Sequence, residues 1–220
     1  MTTDAPNPAN SSSYDADYWD ERYAGRDRVW SGRPNATLVA EITGLTPGHA
    51  LDLGCGEGGD ALWLARQGWR VTAADISGVA LERGARQAAE EGLADLIEWQ
   101  RHDLAVSFPE GRYDLVTSGF LHSPGEGMPR ERILRDAVAA VAPGGTLLVM
   151  GHAGPPPWDP DGYPGVSLPM ADEVLAGLSL PPGEWEVVRC EEYERSQTAP
   201  DGRECTRLDN VVRVRRRPAE

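Results

Sequence analysis

Short apolar runs alternate with helix-like stretches along the middle of this sequence. Five runs are short and apolar enough to form buried strands, at residues 50–53, 70–74, 96–101, 113–117 and 146–150. Helix-like stretches separate them at residues 59–67, 78–91 and 130–141. This alternation predicts parallel βαβ units with helices on both faces of one sheet.

Residues at the ends of these elements carry further signals. Ser77 is a good N-cap for the second helix, because its hydroxyl can accept a hydrogen bond from the first helical turn. Pro143-Gly144-Gly145 predicts a stop between the third helix and the fifth strand. Two more short helices are expected at residues 36–42 and 171–178.

The last third of the chain follows another pattern. Residues 185–195 and 208–216 resemble strands, and a turn at residues 200–203 separates them. We expect them to pair as an antiparallel hairpin that closes the sheet. The proline-rich loop at residues 155–164 is long enough to act as a lid, although a rigid crossover explains it equally well.

The chain is expected to comprise a short tail and one domain. Residues 1–13 are polar and rich in Pro, Asn and Ser, which predicts a disordered tail. A single domain is predicted over residues 14–220. It comprises a cap of aromatic helices at 14–45, a core at 46–151, and a loop, helix and hairpin on the substrate side at 152–220.

Composition argues against several classes of partner. The net charge of −14 repels phosphate backbones, so a nucleic-acid substrate is disfavoured. Arg213, Arg215, Arg216 and Arg217 are therefore expected to decorate the end of a strand. No apolar run is long enough to span a bilayer, which predicts a cytoplasmic protein without membrane contact. The three cysteines are scattered, so we predict neither a disulfide framework nor a metal site.

A glycine-rich segment follows the first predicted strand and opens the first helix. Gly54, Gly56 and Gly59 fit the pattern G-x-G-x-x-G, in which glycine allows a sharp turn and the close approach of a ligand. Asp75 ends the second strand at the usual distance for an acid that binds ribose hydroxyls. The glycine pattern alone is shared by sites for NAD and for S-adenosyl-L-methionine (SAM).

Two carboxylates in this segment favour SAM. Asp52 precedes the first glycine by two residues, and Glu57 lies within the loop. A pyrophosphate on the helix N-terminus would meet both negative charges in a partly desolvated cleft. SAM instead carries a cationic amino group and a sulfonium, so an acid-lined loop indicates SAM.

Several ordered motifs extend the glycine loop. They lie at residues 51–59, 71–75, 100–104, 113–116 and 142–147. Over about residues 46–151 this order resembles class I SAM-dependent methyltransferases. The resemblance implies an α/β, Rossmann-like three-layer sandwich. Its seven-stranded, mostly parallel sheet would have the order 3-2-1-4-5-7-6 and end in the antiparallel C-terminal hairpin.

The resemblance also implies roles for individual residues. The backbone from Gly54 to Gly58 would hold the methionine moiety, with Asp52 near its amino group. Asp75 would bind both ribose hydroxyls, and Asp103 would accept from the adenine amino group. The other residues implied to contact SAM are Cys55, Gly56, Ile76, Leu104 and Ser118. Ordinary core packing explains Ile76 and Leu104 equally well.

The aromatic segment before the first strand adds a finer hint. Residues 18–23 and 30–35 resemble the corresponding region of tellurite-resistance and thiopurine S-methyltransferases, where this segment closes over the methyl donor. Trp30 is predicted to lie near the sulfonium, because an aromatic face attracts a cation. Tyr23 is assigned to the substrate side. Simple anchoring of a helix to the core is the alternative for Trp30.

Two histidines are candidates for a catalytic base. His122 follows the fourth strand and His152 follows the fifth, at the edge where ligands bind in such sheets. Histidine can remove a proton from a hydroxyl or an amine near neutral pH, whereas a soft sulfur nucleophile needs no base. Phe120 and Trp158, with Tyr23 and His122, are expected to wall the acceptor pocket.

The sequence therefore predicts a SAM-dependent methyltransferase for a small-molecule acceptor, either a thiol or chalcogen or a heteroatom of a natural product. The N-terminal resemblance slightly favours S-methylation over O- or N-methylation. A non-catalytic SAM-binding sensor or assembly subunit on the same fold stays open as an alternative. An NAD-dependent oxidoreductase is a third reading, against which the loop carboxylates argue. The sequence is compatible with a monomer and with a homodimer.

Overall fold

The computed structural model of the chain describes residues 15–122, 128–161, 166 and 168–219. The predicted tail at residues 1–13 lies outside them, as does part of the loop at 155–164. No helix of the described segments is long and apolar enough to cross a membrane.

Seven strands in the described residues form one sheet. They are β1 (His49–Leu53), β2 (Arg70–Asp75), β3 (Ile97–Arg101), β4 (Tyr113–Gly119), β5 (Val141–His152), β6 (Trp185–Thr198) and β7 (Glu204–Arg216). Their spatial order is β3-β2-β1-β4-β5-β7-β6. Strands β1 to β5 pair in parallel, and β7 runs antiparallel to both β5 and β6. The predicted fold class is confirmed, including the strand order and the C-terminal hairpin.

Helices cover both faces of this sheet. In the described residues they are α1 (Ala16–Ala24), α2 (Ala36–Ile42), α3 (Gly59–Arg66), α4 (Gly78–Glu90), α5 (Arg130–Ala140) and α6 (Ala171–Gly177), with a short 3-10 helix at Ala94–Leu96. Ser77 caps α4 as predicted, since its side chain accepts from the amide of Ala80. These bounds lie close to those expected from the sequence pattern.

The core consists of two apolar layers, one on each side of the sheet. Successive residues of β5 alternate between them, because side chains of a strand point to opposite faces. Leu147 and Val149 pack in the layer that includes α5 and α6. Leu148 and Met150 pack in the layer that includes α2 and α3. Each fully buried side chain of this size contributes roughly 1.5–3 kcal/mol.

The expected stop at Pro143-Gly144-Gly145 is wrong. This tripeptide lies inside β5, which begins at Val141 directly after α5. The register against β4 shifts between Tyr113 and Leu115, so the extra residues form a bulge. Gly144 has a φ of +83°, which this irregular stretch of strand accommodates because glycine lacks a Cβ.

The basic residues near the C-terminus lie at the end of β7, as expected. Arg215 and Arg216 donate to the carbonyls of Gly144 and Val141. Arg213 pairs with Glu41 of α2 at 3.5 Å. These contacts give the cluster a structural role, while the absence of a nucleic-acid partner stays a prediction.

Candidate active site

The candidate site lies at one edge of the sheet. Strands β1, β2, β4 and β5 are parallel, so the segments that follow them meet at their carboxyl ends. This edge brings together the glycine loop after β1, Asp75 at the end of β2, residues 119–122 after β4, and His152 at the end of β5. The predicted site residues of these four segments therefore share one region.

The glycine loop depends on glycine for two reasons. Gly54, Gly56 and Gly58 have φ values of +71°, +54° and +80°, a region that side chains disfavour. A Cβ on Gly54 would lie 2.6 Å from Cδ1 of Leu121, and one on Gly56 would lie 2.9 Å from the hydroxyl of Tyr23. The loop is therefore both strained for other residues and closely packed against its neighbours.

Asp75 fixes the glycine loop to the end of β2. Its carboxylate accepts hydrogen bonds from the amides of Gly56, at 2.8 Å, and Ser77, at 2.9 Å. Burial raises the pKa of Asp75, and these amide bonds oppose that shift by favouring the ionised form. The predicted ribose ligand thus also determines the shape of the loop.

Asp52 is a buried acid with one unused oxygen. Its Oδ1 accepts from the hydroxyl of Thr117 at 2.9 Å, and its Oδ2 has no hydrogen-bond partner among the described residues. Burial, followed by the charge of Asp60, raises the pKa of Asp52 to about 8. A buried carboxylate without a donor is costly, so a cationic donor from a ligand would stabilise it. The amino group of SAM has this chemistry.

Replacing Asp52 with asparagine is expected to stabilise the unliganded protein, increasingly so at alkaline pH. A carboxyl whose pKa is higher in the folded state stabilises the fold below its unfolded pKa near 4, and this stabilisation is lost as pH rises through about 8. Asparagine does not titrate and keeps the bond from Thr117. Thermal denaturation should show the advantage of Asp52→Asn growing by about 1 kcal/mol from pH 7 to pH 9. A constant difference, or the same trend in the exposed control Asp95→Asn, would contradict this.

Glu57 has a different role from the one inferred from the sequence. Its Oε2 accepts from the amides of Val29 and Trp30, both at 3.1 Å, and its Oε1 pairs with Arg83 at 2.9 Å. The carboxylate therefore anchors the N-terminal segment to the glycine loop, and its charge is compensated by Arg83. The charge of Glu57 therefore does not argue against a phosphate ligand, and Asp52 does so only in its ionised form.

The aromatic residues of the N-terminal segment lie over the glycine loop. The indole nitrogen of Trp30 donates to the hydroxyl of Tyr23 at 2.9 Å, and both rings lie close to Gly56. Trp30 remains 52% exposed, whereas Tyr23 is buried. Asp20 of α1 anchors this segment to the start of α4, because its carboxylate accepts a hydrogen bond from the hydroxyl of Ser77 at 2.6 Å. Tyr23, predicted on the substrate side, thus lies on the donor loop.

The remaining residues predicted for SAM differ in their surroundings. The Ser118 side chain is buried, and its hydroxyl has no partner within the described part of the chain. Burial raises the pKa of the Cys55 thiol, consistent with a packing role. Asp103 is exposed and accepts from the amide of Ala105 at 2.9 Å. Leu104 belongs to the apolar core, and Ile76 is partly buried.

A narrow cleft adjoins the glycine loop through Leu121. Its lining residues are Phe120, Leu121, His122, Arg130, Gly151, His152, Leu168 and Pro169. Phe120 has a φ of +53°, a strained conformation for a non-glycine residue, and its ring centroid lies 4.7 Å from that of His152. Trp158 is not among the lining residues. The cleft therefore joins Phe120 and both candidate histidines, without Trp158.

His152 belongs to a series of hydrogen-bonded side chains, centred on the buried Asp209, that was not predicted from the sequence. Its Nδ1 lies 2.7 Å from Oδ1 of Asp209, whose Oδ2 accepts from Nε of Arg195 at 2.6 Å. Asp209 is fully buried, and its hydrogen bonds to His152 and Arg195 outweigh burial and lower its pKa. An ionised carboxylate only accepts, so Nδ1 of His152 carries the proton and Nε2 has a free lone pair.

The sequence contains a signal for this series in β7. Asp209 and Asn210 are polar residues in the predicted strand 208–216, and β7 pairs antiparallel with β5 so that His152 lies opposite Asp209. Two acidic or amide residues at the start of an otherwise apolar or basic strand are unusual, since buried polar groups need partners. That pattern, together with a histidine at the end of β5, could have identified the pair.

His122 is a weaker base than His152. Burial, and then the charge of His152, lowers the pKa of His122 to about 4. Burial also lowers the pKa of His152, but the hydrogen bond to Asp209 opposes that shift. The two ring centroids lie 5.5 Å apart, so both imidazoles belong to the same cleft. The environment of His152 is the more suitable one for accepting a proton near neutral pH.

Comparison with protein families places the central part of the chain in a known group. A family model described as a methyltransferase domain matches residues 50–145. A 2-heptyl-1-hydroxyquinolin-4(1H)-one methyltransferase from Mycobacteroides abscessus is 33% identical over 164 residues, which covers 71% of this chain and 70% of that protein. A probable tocopherol O-methyltransferase from Oryza sativa subsp. japonica is 38% identical over 47% of this chain. The chain spans only 29% of that rice protein's length.

Solved structures show the same fold along most of the chain. One, from work on the conversion of a disulfide bond into a thioacetal group during echinomycin biosynthesis, has a TM-score of 0.70 at 26% identity, and covers 93% of this chain and 94% of that one. The N-methyltransferase NodS from Bradyrhizobium japonicum, in complex with S-adenosyl-L-homocysteine, has a TM-score of 0.64 at 18% identity. The match covers 91% of this chain and 97% of NodS. TehB from Haemophilus influenzae, of the tellurite-resistance group, has a TM-score of 0.70 at 18% identity. The match covers 90% of this chain and 67% of TehB. At 18% identity these last two likenesses concern the fold alone.

Proposed function

The chain belongs to the class I SAM-dependent methyltransferases, and we propose that it methylates the oxygen or sulfur of a small-molecule acceptor bound beside His152. The observation that carries this proposal is the series of hydrogen bonds that links His152, Asp209 and Arg195. SAM, the cofactor of this family, supplies the methyl group as a sulfonium that is already activated for displacement.

The residues of the donor side fit SAM. The unused oxygen of Asp52 offers an acceptor for the ligand's ammonium group, and Asp75 lies where the ribose hydroxyls are expected. Glycine at positions 54, 56 and 58 allows the backbone to approach the ligand closely. The aromatic face of Trp30 favours a cation above Gly56.

The residues of the acceptor side supply proton removal and positioning. Nε2 of His152 takes the proton from the acceptor hydroxyl or thiol, and Asp209 stabilises the resulting imidazolium. Phe120 and Leu121 exclude water and hold the acceptor toward the glycine loop. Much of the acceleration of such a displacement comes from this alignment.

The name of the mycobacterial relative supports an acidic hydroxyl as the nucleophile. That protein acts on a hydroxyquinolinone, and 70% of its length is covered by this chain. The echinomycin-related structure instead belongs to sulfur chemistry of a natural product. Both support a heteroatom acceptor.

Two measurements on the full chain test this proposal. Calorimetric titration is expected to show binding of SAM and S-adenosyl-L-homocysteine but not of NAD. A screen with radiolabelled SAM over thiols, phenols, hydroxyquinolones, chalcogen oxyanions and amines should then show transfer to oxygen or sulfur. Tight binding of NAD without SAM would indicate an oxidoreductase. SAM binding without transfer to any member of the panel would indicate a non-catalytic sensor or assembly subunit.

A further inference from the structure

Two guanidinium groups lie close to the cleft that holds His122 and His152. Arg130, the first residue of α5, lines the cleft, and its Nε donates to the carbonyl of Leu121 at 3.2 Å. Arg207 of β7 is buried. After burial and His152, the charges of Arg207 and Arg130 are the next causes that lower the pKa of His122. Arg130 thus places a positive charge at the cleft, although the chain as a whole carries a charge of −14.

Arg130 has no carboxylate partner in the described part of the chain. No ion pair within 4.0 Å includes it there, and burial lowers its pKa below the usual value for arginine. Of the carboxylates nearest to it, Asp209 of β7 binds His152, and Glu131 of α5 pairs with Arg135 at 3.5 Å. The charge of Glu131 opposes the effect of burial on the pKa of Arg130 without forming an ion pair with it. A partly buried cation without an anion is unfavourable, so an anionic ligand would stabilise it.

We propose that the cleft binds the acceptor through an ionised acidic group, an oxyanion or a thiolate, that pairs with Arg130. The proposal rests on the methyl transfer proposed above and narrows its substrate class to acidic hydroxyls and thiols. Arg130 is then a specificity residue, because its guanidinium favours the ionised form of the acceptor over neutral analogues. Leu121, whose carbonyl binds Arg130 and whose side chain contacts Gly54, connects this anion site to the donor loop.

The proposal also accounts for product release. As the acceptor enters the cleft, its X–H bond breaks, the proton moves to Nε2 of His152 and is later released to solvent, and the anion left on X pairs with Arg130. The X–CH3 bond forms as the S–CH3 bond of SAM breaks, so the negative charge on X and the positive charge on sulfur disappear together. The methylated product is neutral at X and no longer pairs with Arg130, so it binds more weakly than the acceptor.

Binding of matched acid and ether pairs tests the proposal without turnover. The full chain, saturated with S-adenosyl-L-homocysteine, is titrated with 4-nitrophenol and 4-nitroanisole, and with 2-heptyl-1-hydroxyquinolin-4(1H)-one and its O-methyl ether. We expect each acid to bind roughly ten- to a hundredfold more tightly than its ether. The absorbance of 4-nitrophenol, which changes on ionisation, should show that the bound form is ionised at a lower pH than the free form.

Variants of Arg130 assign the effect to its charge. Arg130→Gln should remove the preference for the acids and the shift in ionisation, and Arg130→Lys should retain part of both. Arg135→Gln, on the same helix and outside the cleft, is the control and should behave as the wild type. Circular dichroism and the affinity for S-adenosyl-L-homocysteine check that each variant is folded. If Arg130→Gln does not fold, the comparison of Arg130→Lys with the wild type decides the test.

Three results would overturn the inference. They are equal affinity for acid and ether, no binding of either acid to the loaded protein, or a preference that Arg130→Gln leaves intact. Failure of the protein to bind SAM or S-adenosyl-L-homocysteine would instead overturn the proposed function. Transfer restricted to neutral amines would overturn both the proposed acceptor atom and the anion site, while leaving the donor site in place.

Discussion

Replacing His152 with glutamine is expected to lower kcat by roughly 100- to 1,000-fold for a hydroxyl acceptor that is protonated in solution at the assay pH, a loss within the range that general base catalysis contributes. The affinity for SAM should stay unchanged, because His152 lies in the acceptor cleft and not on the glycine loop. Asp209→Asn should cause a similar loss, since asparagine can donate to Nδ1 and so favours the wrong tautomer of the imidazole. Methyl-transfer kinetics under saturating SAM measure both effects.

The pH profile separates a base from a packing residue. A base must be neutral to accept a proton, so activity falls as pH drops through its pKa. Burial lowers the pKa of His152 below its usual value near 6.5, so the acid limb should lie below that pH and the rate should be level above it. His49→Gln, at the opposite end of β1, is the matched control. Unchanged kcat in both His152→Gln and Asp209→Asn would remove the base assignment.

His122 provides a second comparison within the same cleft. Its pKa of about 4 means that it is neutral at working pH and has little tendency to take a proton. If His152 is the base, His122→Gln should affect acceptor affinity more than kcat. The structure thus favours His152 over His122 among the two candidate bases, and the difference comes from the hydrogen bond to Asp209.

The features that could be predicted from the sequence are those that depend on residues close together in the chain. Strand and helix periods, the N-cap Ser77 and the positive-φ glycines depend on residues near one another in the chain, so the loop and its place after β1 follow directly. The edge at which ligands bind also follows, because parallel strands present their carboxyl ends together. The strand order came from the family resemblance, and the sheet confirms it.

The features that the sequence did not reveal are contacts between distant elements. Glu57 binds amides 27 and 28 residues away, and Asp209 binds a histidine 57 residues away. No local period records such pairs, since they depend on how the N-terminal segment folds back and on the register between β5 and β7. The prediction of a stop at residues 143–145 was wrong for a related reason, because a bulge against β4 accommodates within β5 a tripeptide that normally ends an element.

Replacing Asp75 with alanine is expected to weaken SAM binding about 100-fold, equivalent to roughly 2.7 kcal/mol. The carboxylate accepts two amide hydrogen bonds, from Gly56 and Ser77, and a bond to a charged group contributes about 1.5–3 kcal/mol. Its loss therefore removes the expected ribose ligand and releases the glycine loop together. Calorimetric titration with SAM measures the change.

The control for this variant is Asp103→Ala, the other acid that the family resemblance assigns to the adenosine. Asp103 is exposed, and its bond to Ala105 lies outside the glycine loop. Its removal is expected to cost less than about tenfold in affinity, equivalent to about 1.4 kcal/mol. The affinity of Asp75→Asn for SAM should lie between those of Asp75→Ala and Asp103→Ala, because the amide oxygen keeps one acceptor while the negative charge is lost. Equal affinities for Asp75→Ala and the wild type, with both proteins folded by circular dichroism, would show that Asp75 neither binds the ribose nor organises the loop.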